Sequence, residues 1–321
     1  MYTSSIKKIL AVSAFAMPFM AMAQYPERPV TIVVPTAAGG GNDAMARIIA
    51  QKLTESLKQS FIVENKAGGN GAIASEAVAK AKPDGYTILF GYVATHAMNP
   101  ALQKLRYHPV KDFEPVGLVS ESPTIMVSNK GVNFETMEKL IGESKKDPNK
   151  LNYASAGNGT APHFAGELFK MVTGAQMMQI PYKGSAPAMA DTVGGQTQIM
   201  FPSLFSAYPH IKSNKVNAIA IAGKERVAVL PDVPTLAELG VKGVEVEQWY
   251  ALFAPSKTPN SIIEKLNTAL NEALKDKEVM AKFEAQGAYV KTGTPDELKQ
   301  LVNKELDKWS TVVASAKLKS E

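Results

Sequence analysis

The sequence predicts an α/β protein with two lobes around a hinged ligand cleft. Three observations support this prediction. Short apolar or β-branched runs alternate with segments of helical periodicity, which is typical of parallel βαβ units. At about 150 residues per domain, 321 residues correspond to roughly two domains. After the apolar run Tyr250-Ala251-Leu252-Phe253 the chain is mostly helical, so we expect these helices to return to the first lobe and the chain to cross between lobes more than once.

Composition excludes several classes of protein. With 45% hydrophobic and 20% charged residues, 23 Gly and 20 Pro, the chain is neither disordered, collagen-like nor a coiled coil. It contains no cysteine, which excludes disulfides, thiolate nucleophiles, thiolate zinc sites and lipidation at a cleavage point. Without Lys7 and Lys8, 33 basic residues face 30 acidic ones, and this weak positive balance argues against a nucleic-acid partner.

The N-terminus has the pattern of a secretory signal peptide. Lys7 and Lys8 precede an apolar run over residues 9–20, and Ala21-Met22-Ala23 forms a small-residue cleavage site. A membrane anchor is the alternative, but such a run is shorter than the ~20 residues that span a bilayer. We therefore expect residues 1–23 to be removed after Ala23 and the mature protein to be exported.

The first lobe begins with the strand Val30-Thr31-Ile32-Val33-Val34, which Pro35 closes. Helical periodicity follows, with one apolar face. That face comprises Met45, Ile48, Ile49, Leu53 and Leu57. A strand at 61–63, a helix at 72–81, the turn Pro83-Asp84-Gly85 and a strand at 86–90 complete this half.

The same alternation resumes after Pro123. It predicts a strand at 124–127, a helix that begins at Asn133, a strand at 151–153, a helix after Pro162, and strands near 177–180, 198–201 and 218–221. We expect residues 24–122 together with 226–321 to form lobe one, and residues 123–225 to form lobe two.

Two helices in the C-terminal part have recognisable start signals. Thr258-Pro259 and Thr294-Pro295 each offer an N-cap followed by proline, and Thr294 with Glu297 forms a capping box. In the last helix one apolar stripe predicts packing on the body of the protein. Its members are Leu298, Leu301, Val302, Leu306, Trp309, Val312 and Val313.

Two glycine-rich loops follow strands and precede helices, where open α/β sheets bind ligands. In the first loop, Gly39, Gly40 and Gly41 let the backbone approach a ligand, and the helix start offers free N–H groups to an anion. A plain glycine turn capped by Asn42 or Asp43 is the alternative. The second loop runs over 153–163 and adds the neutral groups of Ser155, Asn158 and Thr160. One such loop per lobe suggests a ligand with an anionic group at each end.

Other chemistries lack their motifs. Neither loop has the lysine of a P-loop, and the first lacks the G-x-G-x-x-G spacing of a dinucleotide site. No serine sits in G-x-S-x-G, and the four histidines show no metal-binding spacing. His96 and His163 could reach the cleft or have structural roles. Asp191 and the segment Tyr182-Lys183-Gly184-Ser185 could face the cleft or serve as surface and capping groups.

Motifs along the whole chain resemble those of the Bug receptors, also called TctC-type tripartite tricarboxylate transporter receptors. The matching segments are Tyr25-Pro26-Glu27-Arg28-Pro29-Val30, Pro35 with Gly39, Gly40 and Asp43, Pro83-Asp84-Gly85-Tyr86-Thr87, Asp112-Phe113 with Pro115, Tyr153, Ser155, Gly157, Gly159, Thr160 and His163, Tyr182-Lys183-Gly184, and Val229 with Pro231-Asp232-Val233-Pro234-Thr235.

The resemblance implies a fold like that of type II periplasmic binding proteins, and a periplasmic receptor that captures a small carboxylate for a membrane permease. We also expect no cofactor, no metal, no catalysis and a monomer. In the family, backbone amides and ordered water hold the ligand. The implied ligand-binding residues are Thr36, Ala38, Gly39, Gly40 and Asn42 in the first loop, Ser155, Asn158, Gly159, Thr160 and Ala161 in the second, and Phe201 and Ser203 as cleft walls. Asp43 is expected to act as a helix cap.

The segment Thr36-Ala37-Ala38 is smaller than in many relatives, which favours a dicarboxylate that can be aromatic, of the terephthalate kind. Two other functions stay open. One is a sensor that presents its closed form to a signalling partner. The other is an exported carboxylate-acting enzyme, for which His96, His163 and Asp191 are the candidate groups.

Overall fold

The computed structural model describes residues 25–132, 134–148 and 150–318. The predicted signal peptide and its cleavage after Ala23 lie outside the described residues. The predicted α/β class is confirmed, since the described residues form one curled sheet of ten strands with helices against it.

The first half of the sheet is parallel, with the order β2-β1-β3. Its elements are β1 (Val30–Val34), α1 (Gly41–Leu57), β2 (Phe61–Asn65), α2 (Ala72–Ala79), β3 (Thr87–Tyr92) and α3 (Asn99–Leu102). A 3₁₀ turn over Gly69–Gly71 precedes α2, and a π-helical turn over Ala94–Met98 leads into α3. The predicted apolar face of α1 is confirmed, because Met45, Ile49 and Leu53 are fully buried in the core.

The second half repeats this arrangement around two parallel strand pairs. Its elements are β4 (Phe113–Asn129), α4 (Met137–Lys146), β5 (Asn152–Ser155), α5 (Ala161–Thr173), β6 (Met178–Pro181), α6 (Ser185–Gly194), β7 (Ile199–Met200), α7 (Leu204–Lys212) and β8 (Val216–Ala222). Strand β5 is parallel to both β6 and β7, whereas β7 and β8 run antiparallel to β4.

The C-terminal part returns to the first half, as predicted. Its elements are β9 (Glu247–Pro255), α8 (Asn260–Lys275), α9 (Lys277–Glu284), β10 (Tyr289–Val290) and α10 (Pro295–Ala316). Strand β9 inserts antiparallel between β3 and β4, and α8 packs against α1 and β4.

Strand β4 joins the two halves of the sheet. Up to Pro123 its partner is β9, and from Thr124 onward its partner is β8. The N–H of Thr124 donates to the carbonyl of Val246 (3.3 Å), whose own N–H donates to Ala222 (2.9 Å). The chain therefore passes between the halves twice at adjacent places.

The segment after Glu225, which was predicted to return to lobe one, makes backbone hydrogen bonds with β8 before the passage at Val246–Glu247. Leu236 donates its N–H to the carbonyl of Ile221 (2.9 Å), which puts the segment after Glu225 beside β8 in the second half. We carry this boundary forward as a proposal in place of the predicted one.

Three predicted element boundaries were wrong. The strand predicted at 124–127 is the end of β4, which begins at Phe113 because the preceding residues pair with β9. Helix α4 begins at Met137, not Asn133, because the hydroxyl of Thr136 caps it by accepting the N–H of Lys139 (3.2 Å). Thr258 does not cap α8: its hydroxyl donates to the carbonyl of Pro255 (2.7 Å).

Helix α10 contacts both halves. Its predicted capping box is confirmed, with Thr294 and Glu297 exchanging hydrogen bonds. Leu298, Val302 and Trp309 of its apolar stripe are buried. The Trp309 ring meets the Phe164 ring of α5 edge-on, with centroids 5.1 Å apart. The last helix therefore links the first half to the second.

Candidate functional site

A cavity lies at the carboxyl ends of β1, β2, β3, β5 and β6, between the two halves of the sheet. It is lined by Pro35 and Thr36, Gly68–Gly71, Tyr92, Ala156, and Tyr182–Gly184. Its volume is about 70 Å³, several times the ~10–15 Å³ that one water needs at least. A larger groove of about 290 Å³ lies elsewhere, against Phe113, Phe253 and Val302, away from these strand ends.

Three loops that contribute to the cavity lining lead into helices, and the start of α6 itself reaches the lining through Gly184. Helices α1, α5 and α6 begin after Gly40, Thr160 and Gly184, and in the described structure none of these residues gives a side-chain cap. The starts of α1 and α6 face each other: a Cβ on Gly184 would lie 3.2 Å from the Ala37 nitrogen. Uncapped helix starts present N–H donors and the positive end of the helix dipole, so this region favours an anion.

Two hydroxyl groups of the cavity lining have no partner among the described residues. The Oγ1 of Thr36 is buried without a hydrogen bond, and the phenol of Tyr92 makes none either. Burial raises the pKa of Tyr92, so its O–H stays a neutral donor. Buried polar groups are normally satisfied by protein, water or ligand. The phenol of Tyr92 can therefore bond to a molecule in the cavity, whereas the Oγ1 of Thr36 is unsatisfied but enclosed in the described state.

The first loop is held by its own helix. The N–H of Gly39 donates to the carboxylate of Asp43 (2.9 Å), which also pairs with Arg47 (3.0 Å). Burial alone would raise the pKa of Asp43, but the hydrogen bonds from Arg47 and Gly39 outweigh it and lower that pKa. Asp43 therefore shapes the loop, and the Gly39 amide is not free for a ligand. Gly40 faces the backbone of α6, since a Cβ on Gly40 would lie 3.7 Å from the nitrogen of Ala186.

The second loop is organised by hydrogen bonds within lobe two. The Nε2 of Gln179 donates to the Oγ of Ser155 (2.7 Å) and to the Oδ1 of Asn158 (2.8 Å). The hydroxyl of Thr160 donates to Gly157 (2.5 Å), and the N–H of Gly159 donates to Nδ1 of His163 (3.2 Å). The polar side chains of this loop therefore fix its shape.

The structure places the other predicted site residues as follows. Phe201 lies in the core, with its ring 5.7 Å from that of Phe169, and does not line the described cavity. Ser203 caps α7 and faces the start of α1 at Gly41. Asn42 is buried and its Nδ2 has no partner among the described residues. Ala38 lies in the first loop, and Ala161 is the first residue of α5.

Sequence reasoning missed a third glycine-rich loop. The segment Gly68–Gly71 follows β2 and precedes α2, so the strand–glycine–helix criterion used for the other two loops also fits it. Tyr92 at the end of β3 and Ala156 were missed as well. Tyr182 and Lys183, which the sequence left open, both line the cavity, and Lys183 is exposed at its edge.

The candidate catalytic groups have structural roles. The ring of His96 is stacked on Phe253 at 3.7 Å in the core. His163 accepts from the second loop, and the Tyr182 hydroxyl donates to Asp191 (2.7 Å). Burial and the nearby Asp191 carboxylate raise the pKa of Tyr182 to about 12. The lining of the cavity, as described, includes no carboxylate and no imidazole, and the described residues contain no cluster suited to a metal ion.

His96 makes the fold sensitive to acid. Burial lowers the pKa of His96 from 6.5 to about 3. Between these two pH values the imidazole is therefore neutral in the folded protein and protonated in the unfolded chain. Stability from this residue is present above pH 6.5 and is lost as the pH falls towards 3, at roughly 1.4 kcal/mol per pH unit. We expect the free energy of unfolding of wild type to fall by about 2 kcal/mol between pH 7 and pH 5 because of this residue, and that of His96→Gln to fall by less. Equal slopes would contradict a buried neutral imidazole.

Within the ranges that the structure describes, no helix has both the length and the apolar character of a membrane span.

Comparisons with known proteins match most of the chain. The family model of the tripartite tricarboxylate transporter family receptor matches residues 45–318. The solved periplasmic binding protein BugD is similar at 36% identity and a TM-score of 0.89, over 92% of this chain and 100% of that one. R. palustris Rpa4515 with adipate is 34% identical, with a TM-score of 0.88 over 91% and 98% of the two chains. MatC from Rhodopseudomonas palustris with bound malate is 36% identical, with a TM-score of 0.87 over 90% and 100%. The resemblance predicted from the sequence motifs is confirmed.

Proposed function

The chain belongs to the tripartite tricarboxylate transporter receptor family, and we propose that it is a periplasmic receptor that closes on a small dicarboxylate and delivers it to a membrane permease. The observation that supports this most is the cavity at the strand ends, which is lined by loops from both halves that lead into uncapped helices and by two residues with unpartnered hydroxyls, Thr36 and Tyr92. The predicted export signal agrees with this location and stays a prediction.

A receptor that must release its ligand is well served by binding a carboxylate through uncharged groups. The cavity lining includes no buried cation among the described residues, and Lys183 stands exposed at its edge. Backbone dipoles and hydroxyls stabilise an anion without a fixed buried charge, which keeps release easy. A micromolar complex amounts to only about −8 kcal/mol.

Two anionic groups fit the arrangement better than one. Helix α1 belongs to the first half of the sheet, whereas α5 and α6 belong to the second. A diacid offers one carboxylate to each side, and such a ligand stabilises the closed arrangement of both halves. Two of the similar structures contain malate and adipate, which are diacids.

The size of the ligand is the finer part of the proposal. The small residues Ala37 and Ala38 favour room for an aromatic diacid, but the cavity volume of about 70 Å³ favours a compact aliphatic one. We rank a malate-sized diacid first. Terephthalate binding stays a prediction, and the calorimetric titration described below tests it.

The two adjacent chain passages support a closing motion of the two halves. We propose that the halves rotate about β4 at Pro123–Thr124 and about Val246–Glu247, with the described state being closed. Residues 25–123 and 247–318 then form lobe one, and 124–246 form lobe two. Of the residues that the family resemblance implied, we keep Thr36, Asn42 and the N–H groups at the starts of α1 and α5 as ligand donors.

Calorimetric titration tests this function. The protein is unfolded and refolded to strip any bound ligand, and then titrated with malate, adipate, terephthalate, citrate, acetate and aspartate. We expect saturable binding of a dicarboxylate and a loss of at least about 100-fold in affinity for the monoacid, since half the anion contacts disappear. Turnover of a compound, or no heat with any carboxylate, would contradict the proposal.

A further inference from the structure

We propose that Asn70 is a ligand-binding residue that also seats the second loop against the first half of the protein. The inference rests on the proposed function and deepens it, because it assigns the recognition of one ligand carboxylate to a side chain of the third glycine-rich loop. Asn70 lies in the 3₁₀ turn between β2 and α2 and lines the cavity.

The backbone at Asn70 is unusual and suits asparagine. Its φ of 56° and ψ of 36° are in the left-handed region, which Asn tolerates better than other non-glycine residues. The flanking Gly69 and Gly71 also have positive φ, at 55° and 91°. This turn projects the one side chain of the segment Gly68–Gly71 at the cavity, between three glycines.

The carboxamide oxygen of Asn70 lies against Gly157 of the second loop. A Cβ built on Gly157 would overlap the Asn70 Oδ1 and lie 3.1 Å from the carbonyl of Tyr182. The Cβ direction in glycine is occupied by a hydrogen, so a Cα–H of Gly157 points at Oδ1 in a weak hydrogen bond. The contact joins the first half to the second and requires glycine at 157.

The amide nitrogen of Asn70 is left for the ligand. Its carboxamide makes no hydrogen bond to the described residues; only its backbone carbonyl does, accepting from Asn99 (3.4 Å). The neighbouring Asn99 lies over Gly159 in the same way but is committed, since its Oδ1 accepts from Gln103 (2.6 Å). Asn70 lines the cavity and therefore has two N–H donors without a partner among the described residues, for which a carboxylate is a suitable acceptor.

This arrangement couples ligand binding to closure. A ligand carboxylate that accepts from Nδ2 of Asn70 fixes the orientation of its carboxamide. In that orientation Oδ1 of Asn70 stays in contact with Gly157. A ligand that bridges the halves in this way gains affinity only when the second loop is seated.

Two substitutions separate the donor role from the seating role. Asn70→Asp keeps the shape and the oxygen but replaces the donor with a negative charge next to the ligand carboxylate. Asn70→Gly removes the side chain, and glycine adopts the left-handed backbone conformation at this position without strain. Asn214 is a matched control, because it is exposed and has a φ of 55° on the surface of lobe two. Asn214→Asp and Asn214→Gly carry the same chemical changes away from the cavity.

Each stripped protein is titrated with malate, adipate and terephthalate, and its thermal unfolding is recorded without ligand. We expect the tightest diacid to bind about 10-fold more weakly to Asn70→Gly and at least about 100-fold more weakly to Asn70→Asp. The Asn214 variants should bind like wild type. Weaker binding by Asn70→Asp than by Asn70→Gly is the result that a purely structural role of Asn70 would not produce.

The outcomes separate the two proposals. If wild type binds none of the three diacids, the proposed function fails. If wild type binds one and Asn70→Asp binds it equally well, or better than Asn70→Gly, then the inference about Asn70 fails and the proposed function stands.

Discussion

Replacing Gly157 by alanine is expected to weaken diacid binding by about 100-fold or more. The alanine Cβ would overlap Oδ1 of Asn70, and the φ of 117° at this position disfavours any L side chain. The overlap is relieved either by rotation of the Asn70 carboxamide off Gly157 or by movement of the second loop away from the first half, and both break the contact between the halves. Calorimetry gives the affinity, and small-angle scattering reports whether ligand still makes the protein more compact.

Gly240→Ala is the matched control for backbone strain. Gly240 has a positive φ of 83°, and nothing lies within 4 Å of its Cβ position. We expect this variant to lose about 1 kcal/mol of stability and no affinity. Adding Asn70→Gly to Gly157→Ala should restore closure in part, because it removes the overlapping atom. An affinity for Gly157→Ala within twofold of wild type would show that this contact does not form in the bound state.

Replacing Trp309 by alanine is expected to lower the free energy of unfolding by about 3–5 kcal/mol. Trp309 is 1% exposed, and its indole packs on Phe164 across the boundary between the halves. Its Nε1 also donates to Glu305 (2.9 Å), so truncation leaves a largely buried carboxylate with one partner fewer. Denaturant unfolding at pH 7 measures the change.

Trp309→Phe separates packing from hydrogen bonding. It keeps most of the apolar contact with Phe164 and loses the N–H donor, so we expect a smaller loss of about 1–2 kcal/mol. A loss below about 1 kcal/mol for Trp309→Ala would mean that α10 does not hold the two halves together.

Local signals in the sequence were sufficient for most elements. β1, α1 and the capping box of α10 were predicted because strand composition, apolar periodicity and cap residues act over a few residues. The boundary at Phe113 was missed for a physical reason: β4 is extended because β9 pairs with it from more than a hundred residues away. Thr258 has the right sequence for a cap, but a bond to Pro255 uses its hydroxyl.

The cavity was harder to predict than the fold. The first two glycine-rich loops were found, yet the donors that face the cavity come partly from Tyr92 and Gly68–Gly71. Phe201 was predicted to line the cleft and instead lies in the core, since a side chain at a strand end can point to either. Which loops meet depends on how the halves pack, and that information is not local.

A crystal structure of the protein with its tightest diacid tests the central claim most directly. We expect both carboxylates between the two halves, with one accepting from Thr36 Oγ1 or Tyr92 and from Nδ2 of Asn70, and the other near the start of α5 or α6. A diacid bound instead in the groove against Phe113 and Phe253, with the strand-end cavity filled only by water, would contradict the account.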